Sequence, residues 1–282
     1  MRLSKHHGLG NDFLVVLDEA NDGPVDAGPD LARVVCDRRT GVGADGLIHG
    51  AAPDPSASAD GVHVVMHLWN ADGSRAEMSG NGIRCLAQAV ANARGWASGT
   101  VVAMTDAGLR ELEVIEGPRP TEVTVRVDMG EVGAGPGTSG VNLPFEFEEL
   151  ATADVGNPHL VAWVEDPSAI DLATVGPAVE TQFPEGINLE LIAPGTVHGT
   201  LEFRVWERGV GITEACGTGA CAAAFLANKW GLVNAAAEVA MPGGSVLVEL
   251  VDGRTLLHGP AVHIADIDLP ALDLAGSGAA DG

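Results

Sequence analysis

The 282-residue sequence predicts an α/β protein made of two copies of one unit. Three observations point there. Short β-rich runs alternate with two Ala-rich helical segments, three motif blocks recur in the same order in each half, and the length suits about two domains. Taken in order, FLVVLD closes an opening strand between Leu3 and Leu17, and apolar residues at helical spacing from Asp30 to Cys36 predict a helix capped by Asp30. GVGADGLIHG reads as a glycine-rich turn entering a strand, and Val62, Val64, Met66 and Leu68 alternate as strand residues do. The loop NADGSRAEMSGNG leads to the first Ala-rich helix, IRCLAQAVANARG, stopped by Gly95. TVVAMTD, RELEVIE and TEVTVRVDMG follow as strands, with EGPRP at 116–120 breaking both element types. In the second half, VGNPHLVAWVED, GINLELIAP and GTLEFRVWERG are strands, and GTGACAAAFLANKWG is a helix ended by Gly231.

Composition narrows the function. Fifteen Lys and Arg against 39 Asp and Glu give a net charge of −24, and only Lys5 and Lys229 are lysines. Such a surface repels phosphate backbones and anionic membranes, so nucleic-acid and membrane partners are not expected. No apolar run approaches the length of a spanning helix, and the first residues carry no signal-peptide pattern. The cysteines, Cys36, Cys85, Cys216 and Cys221, contain no CxxC pair, which predicts reduced thiols and a cytoplasmic setting.

The repeat carries the chemistry. Trp69 precedes Ser79 by ten residues, and Trp206 precedes Cys216 by ten. Ser79-Gly80-Asn81-Gly82 and Cys216-Gly217-Thr218-Gly219 each open an Ala-rich helix. Gly10-Asn11-Asp12-Phe13 parallels Gly156-Asn157-Pro158-His159, and Gly43 to Ile48 loosely parallels Gly186 to Leu191. Two copies facing each other about a pseudo-two-fold axis would form a site between them. Each would supply a helix N-terminus suited to a carboxylate and one protic side chain, Ser79 or Cys216. A helix N-terminus lowers a thiol's pKa, so Cys216 is expected to be partly thiolate. Two opposed protic groups around one α-carbon are what a proton-swapping isomerase needs.

Other motifs read as structure. Gly41-Val42-Gly43-Ala44-Asp45-Gly46 fits GxGxxG, but a strand follows it where a dinucleotide site needs a helix. His63 and His67 share a strand face and lack the HExxH context of zinc, and no metal site is predicted. His6 and His7 read as near-surface residues, Cys36 and Cys221 as small buried hydrophobes, and Trp69 and Trp206 as core anchors. Asp12 fits either a turn or a catalytic role.

KHHGLGNDF, GVGADGLI, WNADGSRAEMSGNGIRC, VGNPHLV, FPEGINLE, VWERGVGITEACGTGACAAA and MPGGSVLVE together resemble the diaminopimelate epimerase family, from residue 5 to about 250. The resemblance implies two pseudo-symmetric α/β domains, each a mixed sheet curled around a central helix. These would span 1–117, with a returning strand at about 259–269, and 118–258, followed by a flexible tail over 270–282. It implies a homodimer without cofactor that interconverts LL- and meso-diaminopimelate in lysine and peptidoglycan synthesis. Residue by residue, it places the second catalytic Cys at Cys216. Substrate contacts fall on Asn11, Asn70, Asn157, Asn188, Glu207 and Arg208, with helix-entrance donors at Gly80, Asn81, Gly217 and Thr218. His159 and Glu207 would tune the catalytic pair, and Arg208 with three Asn side chains would suit a second amino-acid head.

One position departs: the family's first catalytic Cys, in a CGNG motif, is Ser79 here. Cys85, six residues on, points elsewhere in the helix. Three readings stay open. Ser79 is a working natural variant assisted by His159 or Glu207, an introduced change that weakens turnover, or the mark of a relative with another substrate or chemistry: a different amino-acid racemase, a dehydratase, or a binding paralogue without turnover.

Overall fold

The computed structural model describes residues 1–76, 79–106 and 108–270. The chain divides into two compact units, one formed by Met1–Arg126 with the residues from Pro260 on, the other by Val127–Gly259.

The first unit contains β1 (Arg2–Gly8), β2 (Asn11–Leu17), α1 (Pro29–Cys36), β3 (Gly46–Ala51), α2 (Pro55–Ala59), β4 (Val64–Asn70), β5 (Arg75–Ala76), α3 (Gly80–Ala93), β6 (Gly99–Thr105) and β7 (Gly108–Glu116). β8 (Glu122–Glu131) carries the chain out of it. β2 runs antiparallel to β1 and parallel to β3, β3 is antiparallel to β4, β4 is antiparallel to β5 and parallel to β6, and β6 is antiparallel to β7.

The second unit repeats this order. It has β9 (Gly133–Ala134), β10 (Glu149–Asp154), β11 (Pro158–Trp163), α4 (Leu172–Glu180), β12 (Asn188–Pro194), β13 (Thr200–Glu207), β14 (Gly211–Ile212), α5 (Gly217–Lys229), β15 (Ala236–Met241) and β16 (Gly244–Val251). β17 (Arg254–Asp268) starts here and returns to the first unit, where it pairs antiparallel with β1. β11 runs antiparallel to β10 and parallel to β12, β12 is antiparallel to β13, β13 is antiparallel to β14 and parallel to β15, and β15 is antiparallel to β16. Each strand from β10 to β16 therefore repeats the pairing of its counterpart from β1 to β7, and the α/β units of the predicted repeat are present.

Register sharpens the correspondence. Leu47 pairs with Trp69, and Leu189 with Trp206. Phe13 pairs with Gly46, and His159 with Asn188. Asn188 is thus the counterpart of Gly46, and the motif alignment of Gly43 with Gly186 is one residue out. The second turn is one residue shorter, and strand pairing follows the apolar face rather than the glycines.

Each sheet buries both faces. α1 covers one face of the first, where Leu14, Val16, Leu31, Val35, Leu47 and Trp69 form a core; α4 does the same over Leu160, Leu172, Val175, Leu189 and Leu191, with Trp206 packed alongside. α4 escaped the sequence reading because LATVGPAVE carries both Gly and Pro. Gly176 is required there, since a Cβ would come within 2.3 Å of the Trp206 ring. α1 is capped by Gly28 with Pro29 in its first turn, not by Asp30, which instead pairs with Arg33.

α3 and α5 pack against the other faces and are buried along most of their length. That burial explains their alanines: Ala220, Ala222, Ala223 and Ala227 leave no room for larger side chains, which would cost about 1–3 kcal/mol each. Gly95 and Gly231 follow α3 and α5 at φ of +67° and +77°, the left-handed conformation that ends helices. α3 begins at Gly80, three residues before the predicted Ile83, because Ser79 caps it.

The unit boundary lies at 126/127 rather than at the Pro/Gly break of 117/118, because β8 continues through it; the switch back falls at Pro260 inside β17. Residues 271–282, most of the expected tail, lie outside the described residues. Among the described residues no helix is long and apolar enough to cross a membrane.

His6 is not near the surface. It is fully buried on β1, with Nδ1 2.8 Å from Gln88 Oε1 and Nε2 2.9 Å from Ser4 Oγ. Burial lowers its pKa to about 4. The unfolded chain therefore binds a proton below about pH 6.5 that the folded chain refuses, so stability falls as pH drops from 6.5 toward 4. Denaturant titrations of the protein and a His6→Gln variant should show that about 3 kcal/mol of this loss disappears with the imidazole.

Candidate active site

Two residues occupy equivalent places at the starts of α3 and α5. Ser79 has φ −138° and ψ 120°, and Cys216 has φ −131° and ψ 115°. Each caps its helix, with Ser79 Oγ accepting from the Gly82 N–H at 3.0 Å and Cys216 Sγ from the Gly219 N–H at 3.4 Å. Serine is a favoured N-cap, so this position suits Ser79 structurally.

The surroundings of the two differ. In the first unit the group packed beside the cap is apolar. A Cβ on Gly82 would lie 3.3 Å from both Ser79 Oγ and Ile48 Cδ1. In the second unit the counterpart of Ile48 is Glu190 and that of Phe13 is His159, both fully buried. A Cβ on Gly219 would lie 2.7 Å from Glu190 Oε1 and 3.2 Å from Cys216 Sγ. His159 Nδ1 sits 2.6 Å from Glu190 Oε1, and its Nε2 2.9 Å from Asn157 Oδ1. Glu190 was missed in the sequence. The signal was a carboxylate inside GINLELIAP, an otherwise apolar buried strand.

The expectation of a thiolate at Cys216 is overturned. Burial pushes the thiol well above its ordinary value, the Glu207 and Glu190 carboxylates push the same way, and the bonds from Thr218 and Gly219 oppose them only weakly. Cys216 is a protonated thiol in this state, a proton donor before it is an acceptor. Thr218 Oγ1 is 3.6 Å from Sγ, and Glu207 Oε1 accepts from Thr213 Oγ1 at 2.5 Å.

The other expected residues divide between the two units. Asn188 donates to the Pro158 carbonyl at 2.8 Å and accepts from the Arg208 N–H at 2.9 Å, so its amide ties three segments together. Arg208 is exposed, its Nη1 on the Glu185 carbonyl at 2.9 Å, and its stem lies where a Gly186 Cβ would be. Gly217 is buried on the first turn of α5. In the first unit, Asn81 on the first turn of α3 donates to Asn11 Oδ1 at 3.3 Å and accepts from the buried Arg84 at 2.7 Å; Arg84 also donates to the Gly80 carbonyl. Asn70, at the end of β4, donates to Ser74 Oγ at 2.9 Å and corresponds to Glu207 by register.

Asp12 belongs to an ion-pair network. Lys5 Nζ and Arg38 Nη2 lie 2.9 and 2.7 Å from its carboxylate, and Arg38 also reaches Asp45, which accepts from Asn11. Burial alone would raise the Asp12 pKa, but hydrogen bonds from Arg38 and Lys5 hold it below its usual value, which makes it a poor base. Cys85 is fully buried and pushed up to about 12, mainly by burial. Among the described residues no three His, Cys, Asp or Glu side chains are grouped to hold a metal.

The sequence profile of the family described as diaminopimelate epimerase matches residues 3–134 and 151–264. The chain belongs to the diaminopimelate epimerase family. The diaminopimelate epimerase of Rhizorhabdus wittichii is 39% identical over 280 residues, covering 96% of this chain and 97% of that one, and the enzyme of Sphingopyxis alaskensis is 38% identical, covering 94% and 96%. Two solved structures share the fold at low identity. A Bacillus anthracis phenazine biosynthesis protein of the PhzF family has a TM-score of 0.68 at 14% identity, covering 96% of this chain and 99% of its own. A hydroxyproline epimerase from Agrobacterium vitis has a TM-score of 0.64 at 15%, covering 95% and 91%.

The two cap glycines should respond differently to alanine. Gly82→Ala adds helix propensity worth up to about 1 kcal/mol but crowds Ser79 Cβ at 3.1 Å and Ile48 Cδ1 at 3.3 Å, so its melting temperature should change little. Gly219→Ala forces a methyl against Glu190, so its melting temperature should fall, and the alkylation rate of Cys216 should change with it.

Proposed function

We propose that this chain is a diaminopimelate epimerase, interconverting LL- and meso-diaminopimelate by removing the α-proton on one face and returning a proton on the other. The observation that carries the reading is the equivalent capping position of Ser79 and Cys216 in the two repeats, on a chain 39% identical to a diaminopimelate epimerase along its length. The reaction supplies a step of lysine and peptidoglycan synthesis.

In this reading Cys216 exchanges protons with the α-carbon from one face and Ser79 serves the other. The helix-entrance N–H groups at Gly80, Asn81, Gly217 and Thr218 bind the substrate carboxylate and stabilise the carbanion-like charge that develops as the α-proton leaves. Asn11, Asn70, Asn157 and Arg208 bind the rest of the substrate, with Arg208 offering its planar fork to the distal carboxylate. Asn188 holds the Arg208 backbone, while His159 and Glu207 tune the proton balance at the catalytic pair. The chemistry asks for no cofactor, pyridoxal phosphate included. A homodimer in the cytoplasm completes the proposal, and four free cysteines are in keeping with a reducing compartment.

Ser79 sets the limit on rate. An alcohol is a far weaker acid than a thiol, and the side chain facing it across Gly82 is the apolar Ile48. Incubation with LL-diaminopimelate in deuterated water should therefore show α-proton exchange faster than formation of the meso isomer. Absence of both exchange and meso product would sink the reading. Ser79→Cys should raise the epimerisation rate at least tenfold while costing about 0.5–1 kcal/mol of helix capping, seen as a lower melting temperature. Cys216→Ala should abolish epimerisation.

A further inference from the structure

Glu190 is a buried acid to which the mechanism above gives no task. It lies mid-strand on β12, sealed from solvent, with Oε1 against His159 and Oε2 without a hydrogen-bond partner among the described residues. A carboxylate oxygen buried in this way is destabilising, so the fold alone gives no reason to keep it. The first unit shows as much: Ile48 and Phe13 fill the equivalent positions, and the same sheet and helix form without a polar pair. The pair is confined to the repeat that holds the thiol. Gly219 is what lets it come close, since any side chain there would enter the space between Glu190 Oε1 and Cys216 Sγ.

We propose that Glu190 is a positioning residue for proton transfer at Cys216, acting through the proton it shares with His159 and through its charge beside the sulfur. The proposal rests on the reading that Cys216 exchanges the substrate's α-proton. Asn157 Oδ1 accepts from His159 Nε2, so Nε2 carries a hydrogen and Nδ1 meets Glu190 across a second proton. With that proton present the pair is neutral, whether the proton sits on oxygen or nitrogen. When it is lost, a negative charge stands beside Sγ and holds Cys216 as a thiol. The pair thus decides whether the sulfur can become a thiolate. The ionisable groups acting on Cys216 are Glu207 from β13 and Glu190 from β12; those acting on Glu190 are His159 from β11 and Glu207.

The test is Glu190→Gln, which keeps an acceptor for His159 and removes the charge. The rate of Cys216 alkylation by iodoacetamide, localised by mass spectrometry between pH 7 and 9.5, should rise several-fold at pH 8. Its profile should move to lower pH by about half a unit or more, a partial shift because Glu207 remains. The pH profile of α-proton exchange should move the same way with KM held within about twofold, and Glu190→Asp should restore part of the original profile. A folded Glu190→Gln protein whose alkylation and exchange profiles match the parent overturns the proposal. If Glu190→Gln does not fold, Glu190→Leu, an apolar side chain like the Ile48 of the first unit, is measured in the same way; failure of both to fold assigns Glu190 to stability and also overturns it. Absence of α-proton exchange in the parent protein with an intact alkylation shift would refute the epimerase reading while leaving the coupling of Glu190 to Cys216 standing.

Discussion

The backbone N–H three residues into each central helix donates to the side chain that precedes the helix, and this cap bond fixes where Ser79 and Cys216 stand. Much of the site follows from it. The cap holds the protic atom at the end of the helix dipole, beside the backbone N–H groups of the first helical turn. The glycines at Gly82 and Gly219 clear the space in front, and the alanines behind let the helix sink into its sheet. A serine makes this bond better than a cysteine does. The first unit thus has the stronger cap and the weaker acid, and the second has the reverse.

Electrostatics divides the two halves further. The thiol of Cys216 feels two carboxylates, while the apolar Ile48 lies across Gly82 from the alcohol of Ser79. The helix N-terminus does not win against burial and two negative charges. The network at Lys5, Asp12, Arg38 and Asp45 ties its acids to cations and braces the turns that present Asn11.

The repeat was legible because its residues recur at fixed spacing and in fixed order: Trp69 with Ser79, Trp206 with Cys216. The glycines that end the central helices were legible for their left-handed backbone. What escaped had physical reasons. α4 is held by packing against Trp206, and Gly176, which weakens its helical signal, is the residue that permits that packing. His6 looks like a surface residue beside His7, and only the return of β17 and the side chain of Gln88 bury it. Glu190 was hidden by its motif, since a Glu in a strand reads as solvent-facing until both faces of the sheet prove covered. The sign of the shift at Cys216 required knowing that two carboxylates share its pocket.

The path of the chain through β8 and β17 bears on synthesis at the ribosome. Residues 127–259 are contiguous, so the second unit holds all its own strands once they have emerged. The first unit does not: β1 pairs with β17 at residues 262–268, which follow the whole of the second unit. β1 keeps one hydrogen-bonding edge open until the second unit has been translated, and pairing at such long range is of the kind that folds slowly and leaves strand edges exposed.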